Sequence, residues 1–207
     1  QDLFFVNGRR WSIGADDAVA SSNAMYRNDG TGRFEDVTDA VGLTRDTYGM
    51  GVAVGDYDED GRVDLFTTGV GGNRLYRNAG ERFEDVTDVA GVLGSEGEWT
   101  TSAGFFDADG DGDLDLFVCH YVRWSPEIDR EIAYTLNGED RAYGPPMNYA
   151  GTTSTLFRNE GDGTFKEVSF STGLDDPRGG MGLAVGDGDR DGILSNQDGS
   201  LRYFENT

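Results

Sequence analysis

Residues 51–66 read Gly-Val-Ala-Val-Gly-Asp-Tyr-Asp-Glu-Asp-Gly-Arg-Val-Asp-Leu-Phe, and this stretch decides the fold. Within the segment 56–64, carboxylates stand at positions one, three, five and nine, and a glycine stands at position six. Calcium takes about six to eight oxygen ligands, and a sharply bent acidic loop with this spacing supplies them. The stretch therefore predicts a calcium-binding loop.

The same acidic pattern occurs twice more in the chain. Segment 107–115 repeats every carboxylate and the glycine, whereas segment 187–195 has Ser195 at position nine. At position seven the backbone carbonyl is the expected donor. We expect two strong calcium sites and a weaker third, in which Asp198 or water takes the place of the missing carboxylate. The predicted metal ligands are Asp56, Asp58, Asp60, Arg62 and Asp64 in the first loop, Asp107, Asp109, Asp111, Asp113 and Asp115 in the second, and Asp187, Asp189, Asp191, Ile193, Ser195 and Asp198 in the third.

An EF-hand would share the start of this pattern, but two features of the sequence argue against it. An EF-hand loop lies between helices and ends in a bidentate glutamate at position twelve, where this chain has Thr67, Val118 and Asp198. The flanking segments 51–55 and 64–68 are short and rich in β-forming residues. One Asp-rich stretch alone would also fit a solvated turn. Three copies in one context favour metal loops that join strands.

A second repeated element lies between the acidic loops. Residues 23–38, 73–87 and 155–169 each read as a hairpin, with an aromatic-Arg-Asn segment, a glycine turn and a Phe-acidic segment. One full unit is therefore strand, acidic loop, strand, strand, glycine turn, strand. This is the four-stranded sheet of a propeller blade. The arginine of each copy is expected to pair with a carboxylate of a nearby loop.

The predicted architecture is an all-β propeller or partial propeller of about four four-stranded blades, with the Asp-rich calcium loops between the first and second strands. Residues 1–207 are predicted to form one repeat domain, divided into a partial blade (1–43), a blade (49–92), a blade with an insertion at 121–151 (101–174) and a partial blade (180–207). The first blade lacks its first strand, and the last is cut off before its fourth. Strands from the two ends could close the ring, but a fragment of a larger ring and subunits that complete each other's sheets both stay open.

The acidic loops with the Asp-Leu-Phe that ends them, and the Leu-Tyr-Arg-Asn and Phe-Glu-Asp-Val-Thr hairpins, resemble FG-GAP/VCBS repeats, the calcium-bearing blades of integrin α-subunit heads. Residues 49–58 and 121–127 are most similar to the cartilage-acidic-protein/UnbV-like group of secreted bacterial and animal proteins. The resemblance covers nearly the whole chain and implies a calcium-bearing propeller. It does not imply one biochemical role, because such blades serve adhesion, carbohydrate contact and scaffolding alike. The group often carries two cysteines in the stretch that matches residues 134–144. This chain has neither, so no disulfide is implied there.

One connection between repeats is much longer than its equivalent. The first and second acidic loops begin 51 residues apart, whereas the second and third begin 80 residues apart. The added residues fall in the insertion 121–151, whose aromatic content argues against disorder. We predict a partner-binding surface there, formed by Trp124, Tyr134, Tyr143 and Tyr149. The alternative is that these aromatics cover the edge of a blade. A smaller insertion at 10–22 should project from the same rim.

The chain carries 17 Lys and Arg against 39 Asp and Glu, which gives a formal net charge of −22. Such a surface would repel a nucleic acid, so no nucleic-acid partner is expected. No apolar run approaches the roughly twenty residues that span a bilayer, and no signal-peptide pattern opens the sequence. We expect a secreted protein, extracellular or periplasmic, whose export preceded the mature or truncated form that this sequence represents. The single cysteine, Cys119, lies in an apolar run and is expected in the core.

No catalytic constellation is recognisable, so an enzyme is not expected. The single histidine, His120, directly follows Cys119, and adjacent residues of a strand point to opposite faces. There is no nucleophile elbow, no phosphate-binding loop and no helix-forming stretch of useful length.

The favoured function is that of a non-catalytic, secreted calcium-binding propeller that contacts a protein, the matrix or a cell surface. Self-association through the incomplete terminal blades is a further expectation. One alternative is a carbohydrate-binding lectin, in which Trp11, Trp99 or Trp124 stacks on sugar rings. Another is a fragment or subunit of a larger extracellular assembly.

Overall fold

The computed structural model describes residues 1–8, 23–43, 48–95, 97–142, 144–174, 180–185, 192–196 and 201–204. Fourteen strands are described: β1 Leu3–Phe5, β2 Ala24–Asn28, β3 Phe34–Asp36, β4 Tyr48–Gly55, β5 Asp64–Val70, β6 Arg74–Asn78, β7 Phe83–Asp85, β8 Glu98–Phe106, β9 Asp115–Arg123, β10 Thr155–Asn159, β11 Phe165–Glu167, β12 Gly180–Val185, β13 Gly192–Asn196 and β14 Leu201–Phe204. Two short α-helices, α1 Thr87–Ala90 and α2 Pro126–Ile132, and a 3-10 helix, Pro146–Asn148, complete the described elements. The predicted all-β class is confirmed.

The strands pair as successive antiparallel meanders. Strands β4 to β7 pair in chain order, and so do β8 to β11. One pairing, of Val70 with Trp99, joins these two four-stranded meanders into an eight-stranded sheet, while β1–β3 and β12–β14 form three-stranded sheets. The acidic segments 56–63 and 107–114 join β4 to β5 and β8 to β9, because Gly55 pairs with Asp64 and Phe106 with Asp115. Both acidic segments therefore lie at one end of their sheets, between the first strand and the second.

The first strands of consecutive sheets pack side by side. Strand β4 lies beside β8, and β8 lies beside β12. Gly51 allows this approach, because a Cβ at that position would lie 2.6 Å from the carbonyl oxygen of Thr101. The hydroxyl of Thr68 donates to the same carbonyl at 3.0 Å. Close packing of the first strands around a common centre is the arrangement of a propeller.

Strands β5 and β9 are buried on both faces, which fits the apolar run 116–119 of β9. Along β9, Leu116 and Val118 pack into a cluster with Phe66 of β5. The intervening Phe117 and Cys119 pack on the opposite face, with Leu183 of β12 nearby. Strand β9 is thus enclosed between its neighbours, and its side chains alternate between two cores.

Cys119 is fully buried in β9, and burial raises the pKa of its thiol to about 11. A thiol reacts as its thiolate, so we expect Cys119 to resist a disulfide reagent such as dithionitrobenzoate in the native protein. After unfolding in guanidinium, the same thiol should react fully. The absorbance of the released thiolate measures both states. Rapid stoichiometric labelling of the native protein would contradict this placement.

The insertion 121–151 has a structure of its own. The sequence predicted no useful helix, but α2 forms because Ser125 accepts the backbone N–H of Ile128 at 3.2 Å and Pro126 stands in the first turn. A bridge between Val122 and Gly151 closes the neck of the insertion. The segment thus leaves β9 and returns beside it before β10 begins.

Candidate metal centre

The first acidic loop brings three of its carboxylates together. One oxygen from each of Asp56, Asp58 and Asp64 lies within 4.8 Å of the others. Asp64 is fully buried at the start of β5 and accepts the backbone N–H groups of Tyr57, at 3.1 Å, and Asn78, at 2.7 Å. We name Asp56, Asp58 and Asp64 the first triad.

Backbone bonds and two left-handed residues shape this loop. Asp56 accepts the N–H groups of Asp60, at 3.0 Å, and Gly61, at 2.9 Å, so the chain is folded over its carboxylate. Gly61 has φ 83°, and Glu59 has φ 55°, a conformation that non-glycine residues adopt only where the surroundings impose it. The glycine at position six is thus required by the turn.

The second loop repeats this arrangement one sheet further along. One oxygen from each of Asp107, Asp109 and Asp115 lies within 4.8 Å of the others, and we name these residues the second triad. Asp115 is buried and accepts the N–H groups of Ala108 and Asn159, both at 2.8 Å. Asp107 accepts two N–H groups of its own loop, from Gly110 at 2.7 Å and Gly112 at 3.1 Å.

The buried member of each triad is electrostatically unfavourable as a carboxylate. Burial raises the pKa of Asp64 to about 6, the backbone N–H bonds oppose this, and the charges of Asp58 and Asp60 add to it. Burial likewise raises the pKa of Asp115, and its two backbone N–H bonds again oppose the shift. A bound cation would lower the pKa of both carboxyls, because an opposite charge favours the ionised form.

The residues of the first triad fit a hard cation. The Oδ1 atom of Asp58 is buried and has no hydrogen-bond partner among the described residues. A buried polar atom without a partner is costly and calls for an explanation. All the triad donors are oxygens, which suit calcium or magnesium rather than a thiolate- or imidazole-binding metal. A cation between the three carboxylates would satisfy the Asp58 oxygen.

The predicted position-five carboxylates lie outside the two triads. Asp60 pairs with the guanidinium of Arg62, and Asp111 accepts the N–H of Asp113 at 3.0 Å. In the third loop, Asp187, Asp189, Asp191 and Asp198 lie outside the described residues. Ile193 and Ser195 belong to β13, of which the backbone alone is described.

An asparagine that the sequence reasoning missed closes each loop. Asn78 donates its backbone N–H to Asp64 and its side-chain amide to the carbonyl of Val63, at 3.1 Å. Asn159 makes the same two bonds in the second loop, with Asp115 and with Leu114 at 3.2 Å. The signal was the Arg-Asn pair that ends β2, β6 and β10.

The salt bridges of Arg77 and Arg158 lie outside the acidic loops, which corrects the predicted pairing for these two arginines, although the charges of Asp109 and Asp115 still act on Arg158. Arg77 lies 3.3 Å from Glu84 on the neighbouring strand β7. Arg158 lies 2.6 Å from Glu160, in the turn that follows β10. Both arginines therefore find carboxylates within their own hairpins.

Three of the four aromatics predicted to bind a partner are described, and each is half-buried in the insertion. Trp124 meets Trp99 edge-to-face, with ring centroids 5.7 Å apart. Tyr149 donates its hydroxyl to Asp129 at 2.7 Å, and Asp129 also pairs with Arg141. Tyr134 packs against Gly144, because a Cβ atom added to Gly144 would lie 3.3 Å from the Cβ atom of Tyr134. Tyr143 and Trp11 lie outside the described residues.

No helix among the described residues is long and apolar enough to cross a membrane.

Comparison with known proteins adds a relative and a solved structure. A lectin from Agrocybe aegerita, described as recognising non-reducing terminal N-acetylglucosamine, superposes with a TM-score of 0.43 and 19% identity, over 90% of this chain and 44% of that chain.

Cartilage acidic protein 1 from Xenopus tropicalis is 37% identical over an alignment of 81 residues, and the match covers 32% of this chain and 12% of that protein. This chain therefore matches only a small part of its relative's length. The model of the FG-GAP-like repeat matches residues 1–67 and 56–118, which together make up more than half of the chain. With its repeated acidic loops and four-stranded meanders, the chain belongs to the FG-GAP-like repeat family.

Proposed function

We propose that this protein is a calcium-binding β-propeller that serves as a non-catalytic interaction module outside the cytoplasm. The observation that carries the proposal is the recurrence of one geometry in two adjacent sheets. In each, three carboxylates converge, and the buried member is held by two backbone N–H groups. Repeated oxygen sites at one rim fit calcium that fixes the connections between strands.

In the proposed assignment, calcium in the first loop is bound by Asp56, Asp58, Asp60 and Asp64 with the carbonyl of Arg62. In the second loop it is bound by Asp107, Asp109, Asp111 and Asp115 with the carbonyl of Asp113. Asp60 would have to turn from the Arg62 guanidinium to reach the ion. The third loop, with Ser195 at position nine, is proposed as the weakest site.

The four antiparallel meanders are proposed as blades of one propeller, over residues 1–43, 49–92, 101–174 and 180–207. The antiparallel meanders and the adjacent first strands support this division. Two of the described sheets have three strands, so their open edges are candidates for ring closure or for self-association.

The absence of catalysis is supported by the placement of the reactive side chains. Cys119 packs in an apolar cluster with Phe117, whereas the ring of His120 lies between the hydroxyls of Thr100 and Thr155. The two side chains thus point to opposite faces of β9, as adjacent strand residues do.

The insertion 121–151 is the proposed contact surface for a protein or glycan partner. It projects from the rim opposite the acidic loops, since it connects the far ends of β9 and β10. Trp124, Tyr134 and Tyr149 are each partly exposed there, and Tyr143 is proposed to join them. The net charge of −22 on the protein disfavours a nucleic-acid partner.

Titration calorimetry on a matched pair of variants tests the calcium assignment. Asp109→Asn removes a proposed carboxylate ligand, so we expect one strong site to weaken by roughly tenfold or more, since affinity follows ligand charge. Asp113→Asn is the control, because only the carbonyl of Asp113 is proposed to bind the ion. It should keep the stoichiometry and weaken the site only slightly. Unchanged calcium binding by Asp109→Asn would refute the assignment.

A further inference from the structure

A polar cleft of about 450 Å³ opens at the ends of β8 and β9 that lie away from the acidic loops. One wall comes from the connection between α1 and β8, and the other from the neck of the insertion and the start of β10. Glu98, Arg123 and Glu167 place three charged groups on its lining, and Phe157 adds an apolar surface. This cleft is separate from both triads and does not depend on them.

Two buried polar side chains at the cleft lack partners among the described residues. Thr152 lines the cleft with 8% of its surface exposed, and its hydroxyl has no hydrogen-bond partner in that part of the chain. The side-chain amide of Asn73, 1% exposed, is likewise unpaired. Asn73 lies against the wall, because a Cβ at Gly94 would be 3.1 Å from its amide nitrogen. Unsatisfied buried groups of this kind call for a ligand or ordered water.

A buried histidine fixes the base of the cleft. The Nδ1 atom of His120 lies 3.1 Å from the hydroxyl of Thr100, and Nε2 lies 3.1 Å from that of Thr155, which lines the cleft. Burial lowers the pKa of His120, while the charges of Glu98 and Glu167 oppose this shift. With both ring nitrogens held by hydroxyls, the ring orients Thr155 at the cleft surface.

We propose that this cleft binds a neutral polyhydroxylated ligand of one or two sugar rings. Carboxylates accept hydrogen bonds from sugar hydroxyls, the Arg123 guanidinium donates them, and the threonine hydroxyls do both. The cleft volume lies within the range of roughly 300–1,000 Å³ that is usual for small-molecule sites. Phe157 is 6% exposed, so it closes the cleft as part of the core, and recognition rests on the polar groups.

The charges of the cleft disfavour an anionic ligand. An anionic ligand would meet Glu98 and Glu167 in a protein of net charge −22. A cationic ligand would be attracted by the two carboxylates and repelled by the guanidinium of Arg123, so a cation is the competing ligand that the test has to separate from a sugar. Hydroxyl groups are compatible with both signs, since each can donate and accept.

Saturation-transfer NMR on the full chain, in the presence of calcium, tests this proposal with methyl glycosides of glucose, galactose, mannose, xylose and N-acetylglucosamine as probes. We expect transfer to at least one glycoside. Thr152→Val removes the unpaired hydroxyl at nearly constant volume and should weaken binding by about tenfold. Thr152→Ser restores the hydroxyl and should bind like the parent. Glu35→Gln, on the exposed strand β3, serves as a remote control and should also bind like the parent.

Three outcomes would overturn the proposal. The first is the absence of transfer to every glycoside of the panel. The second is equal binding by Thr152→Val and the parent, with both proteins melting at the same temperature. The third is binding of putrescine in place of any glycoside, which would make the cleft a site for cations. If Thr152→Val fails to fold, Glu167→Gln replaces it, with the same expected loss of glycoside binding.

Discussion

Removal of calcium is expected to lower the thermal midpoint of unfolding by roughly 6–11 °C. At about 1 mM calcium and a dissociation constant near 0.1 mM, each proposed site adds about 1.4 kcal/mol, and a domain of this size shifts by about 2–4 °C per kcal/mol. This shift in the thermal midpoint is the sum for calcium at the first and second triads alone. Without the ion, three carboxylates remain within 4.8 Å of one another in each loop, and one of them is buried.

Differential scanning calorimetry with about 1 mM calcium, and then with excess chelator, measures this shift. Magnesium at the same concentration is the control, and it should restore less stability because it demands a tighter octahedral geometry. An unchanged midpoint after chelation would mean that the acidic loops hold their shape through backbone hydrogen bonds alone.

Replacement of Asn159 by alanine is expected to cost about 2–4 kcal/mol in the free energy of unfolding. Its side-chain amide donates to the carbonyls of Tyr57, at 2.8 Å, and Leu114, at 3.2 Å. Its side-chain oxygen accepts the N–H of Gly161 at 3.0 Å. Asn159 is 3% exposed, so the groups that lose this partner are left largely without water to replace it.

The equivalent residue of the first sheet provides a matched control. Asn28 is half-buried, and its side chain accepts the N–H of Gly30 at 2.8 Å at the surface. Asn28→Ala should therefore cost less than about 1 kcal/mol. Urea unfolding with equal slopes for the two variants gives the comparison. Equal losses for Asn28→Ala and Asn159→Ala would show that the bonds of Asn159 to the two loops contribute little.

The sequence was most informative where the structural information is local. Each triad comes from nine consecutive residues, so the spacing of its aspartates already implies a turn that gathers them. The hairpins are equally local, and the order of strands follows from their repetition. The burial of Asp64 and Asp115 was not visible in the spacing, because it depends on the hairpin that packs over each loop.

Contacts between distant segments could not be read from the sequence. The bond from Asn159 to Tyr57 joins residues that are 102 positions apart. The cleft is likewise assembled from four separate parts of the chain, around residues 91–98, 123, 151–157 and 167, and no motif marks them as one site. The helix α2 was missed for a different reason, since its seven residues depend on a Ser-Pro start rather than on a long apolar period.

The side-chain amide of Asn159 links the two acidic loops through hydrogen bonds. Tyr57 lies between two members of the first triad, and Leu114 directly precedes the last member of the second, so one side chain holds both segments in place. Tyr57 also packs against Phe165 of the next sheet, with ring centroids 5.6 Å apart. An ion that orders one loop thereby pre-orders the other, and thermodynamic reciprocity makes the gain in affinity equal in both directions. We therefore expect the two proposed calcium ions to bind cooperatively, so that occupancy rises over a narrower range of calcium concentration than independent loops would allow.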